Sequence, residues 1–135
     1  MTVTETVTLQ IEGEVCSGVG EGARFTQLDW VRREFLAKMG FEPYPGTFNL
    51  RMGGPDWAKA REVLAREPGI SITPEAGFCA AKCFHVVVAG IITGGVVFPE
   101  VAGYPSDKVE VISAVPIRVA LGARDGDRVT LSMLC

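Results

Sequence analysis

The sequence predicts a mainly β fold with two or three short helices, closed into a compact barrel that forms a single domain over residues 1–135. Many short segments have the alternating pattern of strands, and only two stretches have helical spacing. Strict alternation of strands and helices is absent, which argues against a doubly wound parallel sheet. A chain of 135 residues is also long enough to bury the core of one domain.

Short strands are predicted along most of the chain. The first covers residues 6–16, where Val7, Leu9 and Ile11 alternate with polar residues. A second strand, "TFNLRM" at 47–52, follows the rigid two-proline turn "EPYPG". After the turn at "REPG", a hairpin region is expected at "ITGG". The strands there are expected near residues 78–88, 91–98, 109–113 and 128–133.

Two helices are predicted between these strands. The first carries apolar residues three or four positions apart: Leu28, Val31, Phe35 and Met39. Gly40 follows at the position of a left-handed C-terminal cap. The second helix is expected from Asp56 to Arg66, directly after Pro55. Its buried stripe comprises Trp57, Ala60 and Leu64.

Composition and charge exclude several classes of protein. Apolar residues make up 47% of the chain and charged residues 21%, which excludes a disordered chain. The net charge of −3 and the lack of a clustered basic face disfavour nucleic-acid binding. No segment has the length and apolar character of a membrane span, and the first residues lack the pattern of a signal peptide. We therefore expect a cytoplasmic monomer or small homo-oligomer with no membrane or nucleic-acid partner.

The cysteines raise the question of a metal site. The chain has four, Cys16, Cys79, Cys83 and Cys135, and one histidine, His85. An extended strand would place positions 79, 83 and 85 on one face, so a site is geometrically conceivable. However, three residues separate Cys79 from Cys83, whereas zinc ribbons commonly have two. Because an unpaired cysteine usually packs as a small apolar residue, the sequence favours packing over metal binding.

A glycine-rich stretch, "SGVGEGARF" at residues 17–25, follows the first predicted strand. It is neither a Walker A loop nor a dinucleotide-binding fingerprint, because the required lysine and the glycine spacing are missing. Either the glycines form a tight turn, or their backbone amides surround an anion. The carboxylate of Glu21 would repel a phosphate, so this side chain either contacts a base or ribose or faces solvent.

The stretch "PYPGTFNL" brings two polar side chains onto one strand face. Thr47 and Asn49 are two residues apart, so a hydroxyl and an amide oxygen leave the strand on the same side. Mg²⁺ accepts such neutral ligands when substrate phosphates and water complete its octahedron. The alternative is that both side chains only close the preceding turn through local hydrogen bonds.

Two charged residues near the C-terminal end are further candidates. Glu110 lies in the apolar segment "VEVI", either at a solvent-facing edge or in a pocket, where it can accept a proton or hydrogen bond from a hydroxyl. Arg118, in "VPIR", offers its guanidinium to a phosphate or a base edge, or else forms a surface salt bridge.

Taken together, these stretches resemble one family over nearly the whole chain. The segments "GVGEGARF", "GFEPYPGTFNL", "GFCAAKC" and "YPSDKVEVISAVPIRVALGARDGDRV" are similar to the archaeal-type CTP-dependent riboflavin kinases. The resemblance implies a closed six-stranded cradle-loop β-barrel. It also implies Mg²⁺-dependent transfer of the γ-phosphoryl group of CTP to riboflavin or a related small alcohol, giving FMN and CDP when riboflavin is the acceptor.

The resemblance implies a role for each candidate residue. Thr47 and Asn49 would hold the magnesium ion, and Asn49 and Glu110 would be the catalytic residues, with Glu110 near the acceptor hydroxyl. The nucleotide-binding residues would be Gly18, Val19, Gly20, Glu21, Gly22, Ala23, Val115, Pro116, Ile117 and Arg118.

One segment departs from the family pattern. Where the family carries Arg-Thr-His before its Tyr-Pro, this chain has Val101, Ala102 and Gly103, with Ala102 at the position of the acceptor-binding threonine. This loss motivates an alternative, a relative that binds a nucleotide or flavin-like ligand without phosphoryl transfer. A second alternative is a DNA-binding relative, because swapped-hairpin transcription factors share the "DGDRV" turn, but the net negative charge disfavours it.

Overall fold

The structure is a computed structural model that describes residues 8–18 and 21–135. Within these residues the fold is mainly β, as predicted, with seven strands and four helices. The strands are β1 (Thr8–Cys16), β2 (Phe48–Arg51), β3 (Ile70–Ile72), β4 (Ala81–Val88), β5 (Ile92–Pro99), β6 (Lys108–Ile112) and β7 (Arg128–Leu134). The helices are α1 (Glu21–Thr26), α2 (Asp29–Met39), α3 (Gly54–Arg66) and α4 (Ile117–Leu121). No helix of the described part of the chain is long and apolar enough to cross a membrane.

All seven strands belong to one antiparallel sheet with a ring-like pairing pattern. The order is β3-β4-β5-β6-β2-β1-β7, and β4 also pairs with β7. Strand β4 makes both contacts because its first residues pair with β3, as in Ile70 opposite Cys83, while its last residues pair with β7, as in Val88 opposite Leu131. The β4–β7 pairing connects the two ends of the series β4-β5-β6-β2-β1-β7. Strand β3 is a short additional strand beside the first residues of β4.

One apolar cluster lies between the sheet and α3. Phe84 and Met133 belong to it and are almost fully buried. The predicted stripe of α3 packs into the same cluster through Trp57, Ala60 and Leu64, which confirms the helical spacing. Burial of a large apolar side chain contributes about 1.5–3 kcal/mol, so this helix is held mainly by its packing.

A second cluster lies between α2 and the other face of the sheet. Val31, Phe35 and Met39 are buried against strand residues that include Cys83, and Gly40 ends the helix in the left-handed conformation, as predicted. Cys83 therefore packs as an apolar residue, and burial raises the pKa of its thiol to about 12. In the described residues no group of three or more His, Cys, Asp or Glu could hold a metal ion.

The structure differs from the prediction in the shortest elements. Helices α1 and α4 have six and five residues and β3 has three, which is too short for a periodic pattern to show. The predicted hairpin is present: β4 and β5 pair antiparallel, their turn lies at Ala89 and Gly90, both with positive φ, and "ITGG" lies inside β5. Gly94 serves close packing there, since a Cβ atom would lie 2.6 Å from the carbonyl oxygen of Ile112.

Candidate active site

Three neighbouring strands bring together residues that are far apart in the sequence. Asn49 on β2 lies opposite Cys16 of β1 and opposite Glu110 of β6. Residues directly opposite in antiparallel strands project from the same face, with Cβ atoms about 4.5–5.5 Å apart. The register of the sheet therefore holds the side chains of Asn49 and Glu110 side by side.

Thr47 and Asn49 form a pair of oxygen donors. The hydroxyl of Thr47 donates a hydrogen bond to Oδ1 of Asn49, with an oxygen–oxygen distance of 3.0 Å. Asn49 is only 7% exposed, although its amide is polar. Thr47, directly before β2, and Asn49, inside it, thus lie on the same side, as the two-residue spacing predicted.

The backbone of the glycine-rich stretch lies directly against this pair. A Cβ atom on Gly22 would lie 2.5 Å from Oγ1 of Thr47, and one on Gly18 would overlap the amide nitrogen of Asn49. Real Cβ atoms essentially never approach other atoms so closely. The glycines are therefore required by close approach to Thr47 and Asn49. Val19 and Gly20 lie outside the described residues.

Two cavities meet at the Thr47–Asn49 pair. The arginine cavity, of about 280 Å³, is lined by residues 16–18, 44–49, 111, 113 and 115–118. The lysine cavity, of about 200 Å³, is lined by Gly18, Glu21, Gly22, Ala23, Gly46, Thr47, Asn49, Lys108 and Glu110. Their common wall consists of Gly18, Gly46, Thr47 and Asn49, so a molecule in one cavity lies next to a molecule in the other.

The candidate residues divide between these cavities. Residues 115–118 line the arginine cavity, whereas Glu21, Gly22 and Ala23 line the lysine cavity, and Gly18 lines both. The candidate nucleotide-binding residues are thus split between two adjoining spaces. Ala102 is exposed in the turn before β6 and lines neither cavity.

Arg118 is held at the edge of the arginine cavity by protein groups. Its Nη2 donates to Oδ1 of Asp125 at 2.6 Å and to the carbonyl oxygen of Cys16 at 3.3 Å. Ser17 donates its hydroxyl to the same carboxylate. The hydrogen bond from Arg118, followed by that from Ser17, lowers the pKa of Asp125, which keeps the carboxylate charged. This network fixes α4 next to the end of β1.

Glu110 is held in the lysine cavity by two neighbours. Tyr104 donates its hydroxyl to Oε2 at 2.6 Å, and Nζ of Lys108 lies 3.6 Å from Oε1. The same ammonium group lies 5.6 Å from the centre of the Tyr104 ring. Burial, then the hydrogen bond and charge of Glu110, raise the pKa of Tyr104, so the phenol remains a hydrogen-bond donor. One carboxylate oxygen is thereby occupied and the other faces a cation.

Thr26 links two of the segments that form the site. This buried residue at the end of α1 donates its hydroxyl to the carbonyl oxygen of Gly22 and accepts the backbone N–H of Gly46, both at 2.8 Å. It therefore ties α1 to the turn that leads into Thr47. A threonine donating to the carbonyl four residues earlier is a common helical contact, so the sequence alone gave no signal for its second bond.

Tyr104 and Lys108 were also missed by sequence analysis. A signal for Lys108 existed, because it lies two residues before Glu110 and alternating strand residues share a face. No comparable signal existed for Tyr104, since the turn at residues 101–107 determines where its ring lies. Its contact with Glu110, six residues later, depends on the conformation of that turn.

Comparisons with known proteins assign the family. A family model named CTP-dep_RFKase, with the description "Domain of unknown function DUF120", matches residues 15–133. The chain belongs to the CTP-dependent riboflavin kinase family.

Curated proteins of this family are similar over most of the chain. A riboflavin kinase of Archaeoglobus fulgidus is 41% identical over 131 residues, which cover 94% of this chain and 55% of the relative. Riboflavin kinases of Methanosarcina barkeri and Pyrobaculum arsenaticum are each 37% identical over 93% of this chain, covering 56% and 61% of the relatives. The chain thus spans little more than half the length of these relatives.

Proposed function

We propose that this protein is a kinase that transfers the γ-phosphoryl group of CTP to riboflavin, giving FMN and CDP. Family membership supports the reaction class, and one geometric observation carries the assignment of the site. Two adjoining cavities share a wall that contains the Thr47–Asn49 oxygen pair. Direct transfer between two substrates requires this arrangement, because donor and acceptor must be aligned on opposite sides of one phosphorus atom.

In this proposal CTP occupies the arginine cavity with its triphosphate directed at the common wall. Residues 115–118 line the far part of that cavity and would contact the base. Arg118 already donates a hydrogen bond to Asp125. We therefore assign it two roles: it fixes α4, and its remaining N–H groups donate to the nucleotide. The backbone of Gly18 and Gly22 passes within contact of the pair, where glycine amides can surround phosphate oxygens.

The donor pair fits Mg²⁺ as the proposed metal. Mg²⁺ prefers oxygen ligands at about 2.0–2.1 Å, and neighbouring corners of such an octahedron lie about 2.9 Å apart. Oγ1 of Thr47 and Oδ1 of Asn49 are 3.0 Å apart, close to that spacing. When bound, an ion held by Thr47 and Asn49 would offset the negative charge that develops on the phosphate oxygens. Because both ligands are neutral, we expect the metal to bind together with CTP.

The acceptor is assigned to the lysine cavity, next to Glu110. The carboxylate orients the acceptor hydroxyl and takes its proton while the hydroxyl oxygen bonds to the γ-phosphorus. The bond between that phosphorus and the β,γ-bridging oxygen breaks, and its electron pair leaves with CDP. The proton then passes from Glu110 to solvent. Tyr104 keeps the carboxylate in place throughout, because it donates to the oxygen Oε2.

A direct assay tests this function. Purified protein is incubated with riboflavin, Mg²⁺ and one of CTP, ATP, GTP or UTP, and the products are separated by chromatography. We expect FMN and CDP in equal amounts with CTP, less product with the other nucleotides, and none when EDTA removes the metal. If no FMN forms with any nucleotide, the proposed function is wrong.

The exposed turn at Val101–Gly103 favours a second candidate function. Ala102 contributes no side chain to either cavity, so the acceptor lacks a contact on that side. A protein with this wall missing could bind a nucleotide or flavin-like ligand without transferring phosphate. Saturable binding of CTP or riboflavin in the absence of CDP release would support this candidate against the kinase.

The finer features of the architecture are part of the same proposal. We propose that β1, β2, β4, β5, β6 and β7 form a closed six-stranded cradle-loop barrel, because their pairings run in a ring. The single domain over residues 1–135, the small-molecule partners, the cytoplasmic location and the monomeric or small oligomeric state remain predictions.

Loss of the Thr26 hydroxyl should weaken nucleotide binding. In Thr26→Val the backbone N–H of Gly46 loses its acceptor, which costs about 1–2 kcal/mol of stability, and the tie between α1 and the turn is broken. We expect the KM for CTP to rise about tenfold and the Tm to fall by a few degrees. Thr93→Val makes the same change on an exposed strand position and should alter neither quantity. A lower Tm with an unchanged KM for CTP would show that Thr26 contributes to stability and not to nucleotide binding.

A further inference from the structure

Lys108 brings a positive charge into a cavity whose other described lining residues are neutral or acidic. Among the described residues that line this cavity, three are charged, Glu21, Lys108 and Glu110, and Lys108 is the single cation. In the pairing of β2 with β6, Lys108 lies opposite Arg51 and Glu110 lies opposite Asn49. Lys108 and Glu110 are two residues apart on β6, so Lys108 shares the face that carries Asn49.

The contacts of Lys108 leave its ammonium group available. Its Nζ lies 3.6 Å from Oε1 of Glu110, longer than the about 2.7–2.9 Å of a well-formed charge-assisted hydrogen bond. Within the described part of the chain, the ammonium group also lies over the face of the Tyr104 ring, and the side chain is one-third exposed. A lysine ammonium on a flexible four-carbon stem can therefore turn from Glu110 toward a new anion in the same cavity.

The chemistry of the proposed reaction creates such an anion in this cavity. Riboflavin is uncharged at its hydroxyl end, whereas its phosphate ester carries a charge of about −1.5 to −2 at neutral pH. The carboxylates of Glu21 and Glu110 line the same space and repel a phosphate group. A nearby cation is needed to offset this repulsion as the phosphoryl group arrives.

We propose that Lys108 is a catalytic residue that binds the transferred phosphoryl group in the transition state and in the phosphorylated product. This inference rests on the proposed function. As the acceptor oxygen bonds to the γ-phosphorus and the bond to CDP breaks, the equatorial oxygens approach Nζ of Lys108. The acceptor's proton moves to Glu110, and the ammonium group exchanges its weak contact with that carboxylate for one with the phosphate. Lys108 thereby discriminates product from acceptor by charge.

The experiment compares FMN with riboflavin, which differ by the phosphate group alone. Affinities of both flavins are measured by quenching of flavin fluorescence in the presence of Mg²⁺ and CDP. The proteins are the wild type, Lys108→Met, Lys108→Arg and Lys59→Met, where Lys59 is an exposed lysine on α3 that lines neither cavity. The kcat for FMN formation is measured on the same samples.

We expect Lys108→Met to weaken FMN binding at least tenfold and to lower kcat by about 10–100-fold, while riboflavin affinity changes less than twofold. Lys108→Arg should restore part of both losses, and Lys59→Met should resemble the wild type. Equal losses for the two flavins would show that Lys108 acts only by positioning Glu110, and unchanged FMN affinity would exclude contact with the phosphate. Either result overturns the inference while leaving wild-type FMN formation intact. A wild type that neither forms nor binds FMN overturns the proposed function and this inference together.

Discussion

Replacement of Asn49 by alanine should abolish CTP-dependent turnover without unfolding the protein. The substitution removes one of the two oxygen donors that are 3.0 Å apart at the wall between the cavities. A single neutral hydroxyl then remains for the metal, and the alignment of the triphosphate is lost. We expect kcat/KM to fall by at least about 10³-fold, equivalent to about 4 kcal/mol of transition-state stabilisation.

The control for Asn49→Ala separates chemistry from stability. Ser132→Ala also shortens a polar strand side chain, but Ser132 lies on β7 and lines neither cavity. Both variants should retain a cooperative unfolding transition, with a Tm within several degrees of the wild type, whereas only Asn49→Ala should lose turnover. Magnesium-dependent turnover in Asn49→Ala close to that of the wild type would remove the metal assignment.

Gly22→Ala should also inactivate the protein, although helix propensity alone predicts that the substitution stabilises α1. Alanine in place of glycine inside a helix stabilises the helix by about 1 kcal/mol. The added Cβ atom, however, would lie 2.5 Å from Oγ1 and 2.8 Å from Cγ2 of Thr47, so either α1 or the Thr47 side chain must move. We expect the KM for CTP to rise at least tenfold and kcat to fall by about 10²-fold.

A second glycine provides the comparison for Gly22→Ala. Gly53 has an extended backbone, and a Cβ atom there would meet nothing within 4 Å. Gly53→Ala should therefore leave kcat and KM unchanged, with at most a small change in stability. If Gly22→Ala retains wild-type kinetics, the close approach of α1 to Thr47 is not required for function.

The longer elements could be predicted from the sequence because their packing follows a simple period. The stripes of α2 and α3 are buried as expected, and most strand positions agree within a few residues. The short elements could not be predicted, since α1 and α4 depend on contacts with the rest of the molecule and contain too few residues for a pattern. The turn at Ala89–Gly90 lies between the strands expected at 78–88 and 91–98, although it lacks the usual Asn-Gly or Asp-Gly signal.

The candidate site could be predicted residue by residue but not as an arrangement. Thr47, Asn49 and Glu110 became candidates through their chemistry and the family resemblance together, yet the sequence could not show that Asn49 lies opposite Glu110. That neighbourhood depends on strand register, which is a long-range property. The division of the glycine-rich stretch between two cavities also required the structure. So did the contacts of Thr26 with Gly46 and of Tyr104 and Lys108 with Glu110.

The register of β1, β2 and β6 has a consequence for how the protein can move. Because Asn49 is flanked on both sides by hydrogen-bonded strands, its distance from Glu110 is set by the backbone ladder. The backbone positions of these two residues can separate only if the ladder itself opens, which requires breaking the hydrogen bonds between paired strands. We therefore expect any motion that admits a ligand to the two cavities to occur in the connecting segments rather than in these three strands.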